Sequence, residues 1–260
     1  MEAAPVSVRR WDVGDASVHD LNPAQSVARV LQLARQRAPR STVVTPNVAH
    51  LRELENNPRF RAAYERADLV LPDGWPIVAA MRLLGAEART RVTGSDLVPA
   101  VLAEAAQRGL TVGIVGGLDG IGECAARNAM ARWPGLRVCL VNEPPKGFER
   151  AAVAVDALCT AIRAANPDVL VLALGAPKQE IFAIENAERL GCGVAICAGA
   201  AVDFLAGSRN RAPKVVQRVG LEWLYRMMAE PRRLASRYLG CVPTAVSILT
   251  VAIKARLSRL

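Results

Sequence analysis

The sequence predicts an α/β fold: a Rossmann-like, mostly parallel sheet flanked by helices, with a basic helical C-terminal appendage. Three observations carry that expectation. Short β-branched runs alternate with longer helix-like segments, the pattern of consecutive βαβ units. The apolar runs Val112–Val115 and Val169–Leu174 show no polar alternation, as expected of strands covered on both faces. Aromatics make up 4% of the chain while 52% is hydrophobic, a mix that suits helices on a sheet better than a β-sandwich.

Taken in order, a helix-like stretch at Pro23–Ala38 precedes a strand at Ser41–Thr45. A helix at His50–Asn56 and a strand at Leu69–Leu71 follow. Next come a helix at Asp96–Arg108, a strand at Thr111–Val115, a helix at Gly122–Arg132 and a strand at Arg137–Val141. A helix at Ala151–Asn166, a strand at Val169–Leu174, a helix at Lys178–Leu190 and a strand at Val194–Ala198 complete the alternation. After Gly207 the style changes to Arg- and Trp-containing helical sequence, then Pro231, then a basic helix from Arg232. From Tyr238 to Ile253 there is no charge. The 260 residues therefore divide into a sheet domain at 1–208 and an appendage at 209–260. The uncharged stretch is interrupted by Gly240 and Pro243, so it is expected to lie in a membrane interface or to pack on the sheet domain.

The charge is unevenly placed. Residues 209–260 hold eleven Lys and Arg against Glu222 and Glu230, so the whole net charge of +9 resides there. Residues 1–208 are balanced, with 22 basic and 22 acidic side chains. Such asymmetry implies an anionic partner for the tail: a membrane, a nucleic acid or a polyanionic substrate. Scarce aromatics argue against a stacking platform for single-stranded nucleic acid. Cys124, Cys139, Cys159, Cys192, Cys197 and Cys241 form no C-x-x-C pair and read as free thiols, most of them buried, in a reducing compartment. With only His19 and His50 besides, no zinc site of the usual His/Cys type is expected. The N-terminus lacks an apolar core of signal-peptide length, and no run is long enough to span a bilayer, so a cytoplasmic location is expected.

Ligands of open α/β sheets gather at the loops that follow the strands. Those loops read Thr45-Pro46-Asn47, Pro72-Asp73-Gly74, Gly116 to Gly120, Gly175 to Glu180, and Gly199 to Asp203. One edge of the sheet thus collects glycines, carboxylates and amides. Each piece also has a plainer reading: Asp73-Gly74 as a turn, Gly116-Gly117 as a tight strand–helix connection, Lys178-Gln179-Glu180 as a polar first helical turn. The segment Gly120-x-Gly122-x-x-Ala125 fits a dinucleotide pattern, with Glu143 about twenty residues on. That match is displaced from the strand end by four residues, Gly116 to Asp119. No D-x-D triplet occurs, so Arg, Lys and backbone N–H groups would have to meet any diphosphate.

Read together, the loops form an ordered set. Asp73-Gly74 leads to Arg91-x-x-Gly94-x-Asp96, then to Gly175-x-Pro177-x-Gln179-Glu180. Gly199-x3-Asp203-x3-Gly207-x3-Arg211-Ala212-Pro213 follows, and last Glu222-Trp223-x2-Arg226-x3-Glu230-Pro231-x-Arg233-x3-Arg237-Tyr238. This set resembles the WecG/TagA/CpsF family of bacterial glycosyltransferases over roughly residues 40–240. The chain runs about twenty residues past Arg237-Tyr238, where many relatives stop, and no catalytic role is drawn from that part.

The resemblance implies an inverting, metal-independent transferase that needs no cofactor. It would move N-acetylmannosamine, its uronic acid or glucose from a UDP-sugar to a sugar on undecaprenyl diphosphate. The products would serve teichoic acid, common antigen or exopolysaccharide synthesis. Carried over by position, Asp73 is the candidate general base. Thr45, Asn47, Arg91, Gly116, Gly117, Gln179, Glu180 and Asp203 are the candidate substrate-binding residues. Arg91 would face the departing diphosphate, and Asp203 would bind the ribose or merely hold a turn. Arg211, Arg218, Arg226, Arg232, Arg233 and Arg237 are the candidates for acceptor phosphates and the anionic inner leaflet, implying a peripheral enzyme. A monomer and a homo-oligomer both fit. Two readings stand beside this one: an NAD(P)-dependent oxidoreductase using Gly120 and Gly122, and a non-enzymatic module binding anionic surfaces.

Overall fold

The computed structural model describes residues 8–37, 41–87, 90–209, 211–213, 216, 222–229 and 239–258. Six parallel strands form the sheet in the order β4-β3-β8-β7-β5-β6: β3 Thr42–Val44, β4 Leu69–Val70, β5 Thr111–Gly116, β6 Arg137–Asn142, β7 Val169–Ala173 and β8 Val194–Cys197. These are the six strands expected from the sequence, and the α/β fold is the one expected. Side chains alternate across the sheet as strand geometry requires. Leu170, Leu172, Cys197 and Val44 enter one hydrophobic core. Val171, Ile196, Val43 and Ile114 enter the other, on the opposite face. Both faces are dry, which is why the strands read as unbroken apolar runs.

Helices cover each face. On the second core lie α1 (Pro23–Gln36), α5 (Gly94–Arg108), α6 (Ile121–Arg132) and α10 (Gly199–Ala206). On the first lie α2 (Val48–Asn56), α3 (Pro58–Glu65), α4 (Trp75–Leu84), α7 (Ala152–Ala165), α8 (Lys178–Glu185) and α9 (Ala187–Leu190). Local chemistry starts several of them. Asn22 and Gln25 form a reciprocal capping box at α1, with Pro23 in its first turn. Asn57 accepts from the Phe60 N–H and begins α3 directly after α2 ends.

Helices α3, α4 and α10 were not among those read from the sequence. The expected helix Lys178–Leu190 is interrupted at Asn186, whose side chain donates to the Phe182 carbonyl (3.0 Å) and so caps α8 where α9 begins. The N-terminal segment, left unassigned by the sequence, forms an antiparallel hairpin of β1 (Arg10–Val13) and β2 (Ala16–His19). Its buried face, Trp11, Val13, Ala16 and Val18, joins the first core. His19 Nδ1 accepts the Val70 N–H at 3.0 Å, so a side chain covers part of edge strand β4.

The C-terminal segment supplies α11 (Glu222–Ala229) and α12 (Val242–Leu257). Helix α12 packs on α4 and α2, burying Thr244, Ile248 and Ala252. Of the two expectations for the uncharged stretch, packing on the sheet domain is therefore realised. Away from this contact Val246, Ile253 and Leu257 are exposed, and so is Val242 at the helix start. No helix among the described residues is long and apolar enough to cross a membrane. All six cysteines are free; Cys159, Cys197 and Cys241 are buried, but Cys139 is exposed on the edge strand β6.

Candidate active site

The C-terminal ends of the strands open into one cleft of about 970 Å³. Its walls come from all five loops singled out in the sequence. Thr45, Asn47, Asp73, Arg91, Gly116, Gly117, Gln179 and Asp203 line it together, although up to 158 residues separate them in sequence. Glu180 does not line it, in contrast to its expected place in the donor pocket.

Asp73 sits where β4 hands over to α4, and its N–H donates to the Pro46 carbonyl (3.0 Å). This ties its loop to the Thr45-Pro46-Asn47 loop next door. Asn47 caps α2: its Oδ1 accepts from Ala49 N (3.0 Å) and His50 N (3.3 Å). Thr45 is buried beside it, 5% exposed, at the end of β3.

Gly116 and Gly117 answer the choice between phosphate cradle and tight turn partly in favour of the turn. Both have positive φ, +106° and +80°. A Cβ on Gly116 would lie 2.2 Å from the Ala173 carbonyl oxygen, and one on Gly117 would lie 2.7 Å from the Gly122 nitrogen. The backbone crossing itself demands glycine there.

The dinucleotide pattern resolves differently. The Glu143 carboxylate accepts from Gly120 N (2.8 Å), Gly122 N (2.7 Å) and Glu123 N (3.3 Å). A protein carboxylate thus already occupies the positive end of α6, which a pyrophosphate would need. Glu143 caps the helix and is not placed to bind a ribose, so the geometry removes the oxidoreductase reading.

Helices α4, α8 and α10 start at the cleft, and their N-cap residues Gly74, Pro177 and Ala198 make no side-chain capping hydrogen bond. Their N-terminal dipole ends and first-turn N–H groups make that wall favourable for an anion. Gln179, 4% exposed, holds the floor between two of them. Its Oε1 accepts from Gly175 N (3.2 Å) and its Nε2 donates to Glu180 Oε1 (2.8 Å). Glu180 lies fully buried behind it, and burial pushes its carboxyl from an ordinary 4.5 up to about 7. Its other oxygen has no hydrogen-bond partner among the described residues. Glu180 therefore reaches the cleft only by orienting the Gln179 amide. The loop from β7 into α8 contains a cis Ala176–Pro177 peptide.

The appendage closes one side. Glu222 of α11 is 9% exposed and lies between Arg91 (Nη2–Oε2 3.6 Å) and Arg211 (Nε–Oε1 3.8 Å). Arg211 also donates to Asp96 Oδ1 (2.6 Å), while Thr93 Oγ1 donates to Asp96 Oδ2 (2.7 Å). Burial works to raise the Asp96 carboxyl, but the Arg211 and Thr93 contacts outweigh it and hold it below its ordinary value. Arg211 is thus committed to carboxylates and to the Phe204 ring beneath it (5.6 Å), and it does not line the cleft. Its expected role toward acceptor phosphate is replaced here by fastening the appendage to α5. Asp203 faces the cleft while paired with Arg209 (3.5 Å). Arg226 lies on α11 with its side chain outside the described set; Arg218, Arg232, Arg233 and Arg237 lie outside the described residues.

Several cleft residues were missed in the sequence. Lys146 and Glu149 come from the loop after β6, and Glu149 pairs with Lys178 (2.8 Å). Extending the strand-end rule to the sixth strand would have found them. Trp75, Thr93, Arg209 and Trp223 also line the cleft. Trp75 follows the Asp73-Gly74 motif directly, whereas Arg209 and Trp223 arrive only through the return of the appendage.

A parallel α/β sheet whose strand ends and helix starts surround one cleft with a carboxylate and cations is the architecture of an α/β enzyme with its site at the strand ends. The chain belongs to the WecG/TagA/CpsF family of glycosyl transferases, whose model matches residues 11–259. It is also 30% identical over 191 residues to the N-acetylglucosaminyldiphosphoundecaprenol N-acetyl-beta-D-mannosaminyltransferase of Bacillus spizizenii (strain ATCC 23059 / NRRL B-14472 / W23). That similarity covers 74% of this chain and 72% of the relative. The protein is a glycosyltransferase. The family match runs beyond the 40–240 span read from the sequence: it takes in the hairpin and α12, so the last helix belongs to the family fold.

Proposed function

We propose that the enzyme transfers an N-acetylmannosamine-type sugar from UDP to a sugar carried on a polyprenyl diphosphate, with inversion at the transferred carbon. The relative's name, which specifies a β-mannosaminyl product on a diphosphoundecaprenol acceptor, supports the substrate pair. The observation that carries the mechanism is the placement of Asp73 in the same cleft as Arg91 and the starts of α4, α8 and α10.

In this mechanism the acceptor hydroxyl attacks the anomeric carbon of the donor as the bond from that carbon to the UDP oxygen breaks on the opposite face. Asp73 takes the hydroxyl proton. The negative charge growing on UDP is met by Arg91 and by helix-start N–H groups, without a metal ion. Thr45, Asn47 and Gln179 orient the donor, and Asp203 contacts its nucleoside. The strongly basic tail is proposed to hold the enzyme at the inner face of the cell membrane, where the acceptor resides.

The test is UDP release from a panel of UDP-sugars, with and without a short-chain lipid-diphosphate-sugar acceptor. Release that depends on acceptor, is specific to one donor and is unaffected by EDTA is expected. Asp73→Asn should slow it by about 10²- to 10⁴-fold, the usual contribution of a general base, while the thermal shift by UDP persists. Full activity of Asp73→Asn would remove it as the base.

A further inference from the structure

Large apolar side chains in water are unfavourable, so a group of them in one exposed place marks a binding surface. The outer lip of the cleft holds such a group. Trp75 is 49% exposed at the start of α4, and Trp223 is 42% exposed on α11. Leu239 (68%) and Val242 (53%) lead into α12, and Met227 completes the wall. All five line the same cavity as Asp73 and Arg91.

The junction between the polar floor and the apolar lip is fixed by covalent adjacency. Trp75 stands two residues after Asp73 on the sheet side. Trp223 is next to Glu222, whose carboxylate pairs with Arg91 on the appendage side (3.6 Å). The lip therefore begins where the charged groups end, on both walls. A molecule filling floor and lip together has an anionic head and an apolar tail directly behind it. A cavity of about 970 Å³ lies at the top of the range for small-molecule sites, roughly 300–1,000 Å³, which leaves room for such a tail beside a sugar donor.

We infer that this lip binds the first isoprenyl units of the lipid acceptor, those next to its diphosphate, so the enzyme recognises the tail as well as the sugar. The inference rests on the acceptor class proposed above and adds a site to it. The exposed Val246, Ile253 and Leu257 of α12 do not line the cleft, so a bilayer against that side alone would not account for Trp75 and Met227 within it. A second protein would not account for the contiguity with Asp73.

The test uses full-length enzyme and sugar-diphosphate acceptors bearing one, two or three isoprenyl units, all in detergent-free solution. Wild-type acceptor KM should fall on the order of tenfold for each five-carbon unit the lip covers. Val242→Asp and, separately, Trp223→Leu should flatten that dependence. Val251→Asp, on α12 but away from the cleft and 63% exposed, should retain it. Thermal melts confirm that each variant folds. A wild type without chain-length dependence, or lip variants with the full dependence, would overturn the inference. If no acceptor turns over, the acceptor assignment fails instead. Titration of tryptophan fluorescence then decides the lip alone: quenching by farnesyl diphosphate but not by inorganic diphosphate supports it, and equal responses overturn it.

Discussion

Glu180 and His19 are both buried and titrate in opposite senses. Burial and the nearby Arg10 charge lower His19 from 6.5 to about 4, in keeping with a ring nitrogen that accepts the Val70 N–H. Between those values the unfolded chain binds the extra proton, so this term makes stability rise with pH. Glu180 is raised from 4.5 to about 7, so between those values the folded chain binds the extra proton. Its term makes stability fall as pH rises. In the wild type the two largely offset each other between pH 4.5 and 6.5. Glu180→Gln deletes the falling limb. Its stability relative to wild type should improve by about 2–3 kcal/mol from pH 5 to 7.5, read by urea denaturation at each pH. A gap that stays constant across that range would show that Glu180 does not titrate there. The sequence singled out Glu180 by its neighbours in the G-x-P-x-Q-E loop, but residue order does not reveal which of two adjacent polar side chains faces solvent. The pitch of α8 turns Gln179 to the cleft and Glu180 inward.

The helices that build the site differ in how their starts are used. Helices start at the cleft, and where a side chain does not cap them their positive ends remain available to a ligand. Asn47 caps α2 and Thr93 caps α5, while at α6 Glu143 accepts from the first N–H groups. Glu143→Ala should destabilise the protein by about 1–2 kcal/mol in a thermal or denaturant melt, the cost of losing a charged cap. NAD(H) should produce no thermal shift in either form. A normal melt for Glu143→Ala, or a shift with NAD(H), would contradict the capping assignment. The G-x-G-x-x-A pattern was legible, but its meaning depended on a carboxylate that returns from β6, more than twenty residues later. Helices α4 and α10 escaped the sequence reading for a related reason. Both are short, begin at glycine-containing turns, and carry mostly apolar side chains without a clear polar face, so packing rather than periodicity stabilises them.

At the scale of the whole molecule, charge and packing divide the work of the appendage. Helix α12 is held to the sheet domain by buried Ile248, and Ile248→Ala should cost about 2–4 kcal/mol in urea denaturation as a core truncation. The basic residues instead act at long range. Binding to vesicles with anionic lipid should weaken steeply as salt rises from 50 to about 500 mM, because screening shortens the reach of each charge to a few Å. Binding that ignores salt and lipid charge would show that the tail does not act as an electrostatic anchor. Glu222 joins the two roles. Its buried carboxylate pairs with Arg91 and Arg211, so α11 is seated beside the catalytic loops rather than left as a tether.

The sequence by itself determined the sheet, since strands buried on both faces must be written as apolar runs whatever the rest of the chain does. It also determined that the strand-end loops share one edge, because parallel connections bring every C-terminal strand end to the same side. Only the tertiary structure decided what those loops do. It separated the Gln179 that faces the cleft from the Glu180 behind it, gave the α6 helix start to Glu143, and drew Arg211 away into a clamp with Asp96 and Glu222. Each of these depends on partners distant in sequence, and the short-range patterns that fix a strand or a helix carry no record of them.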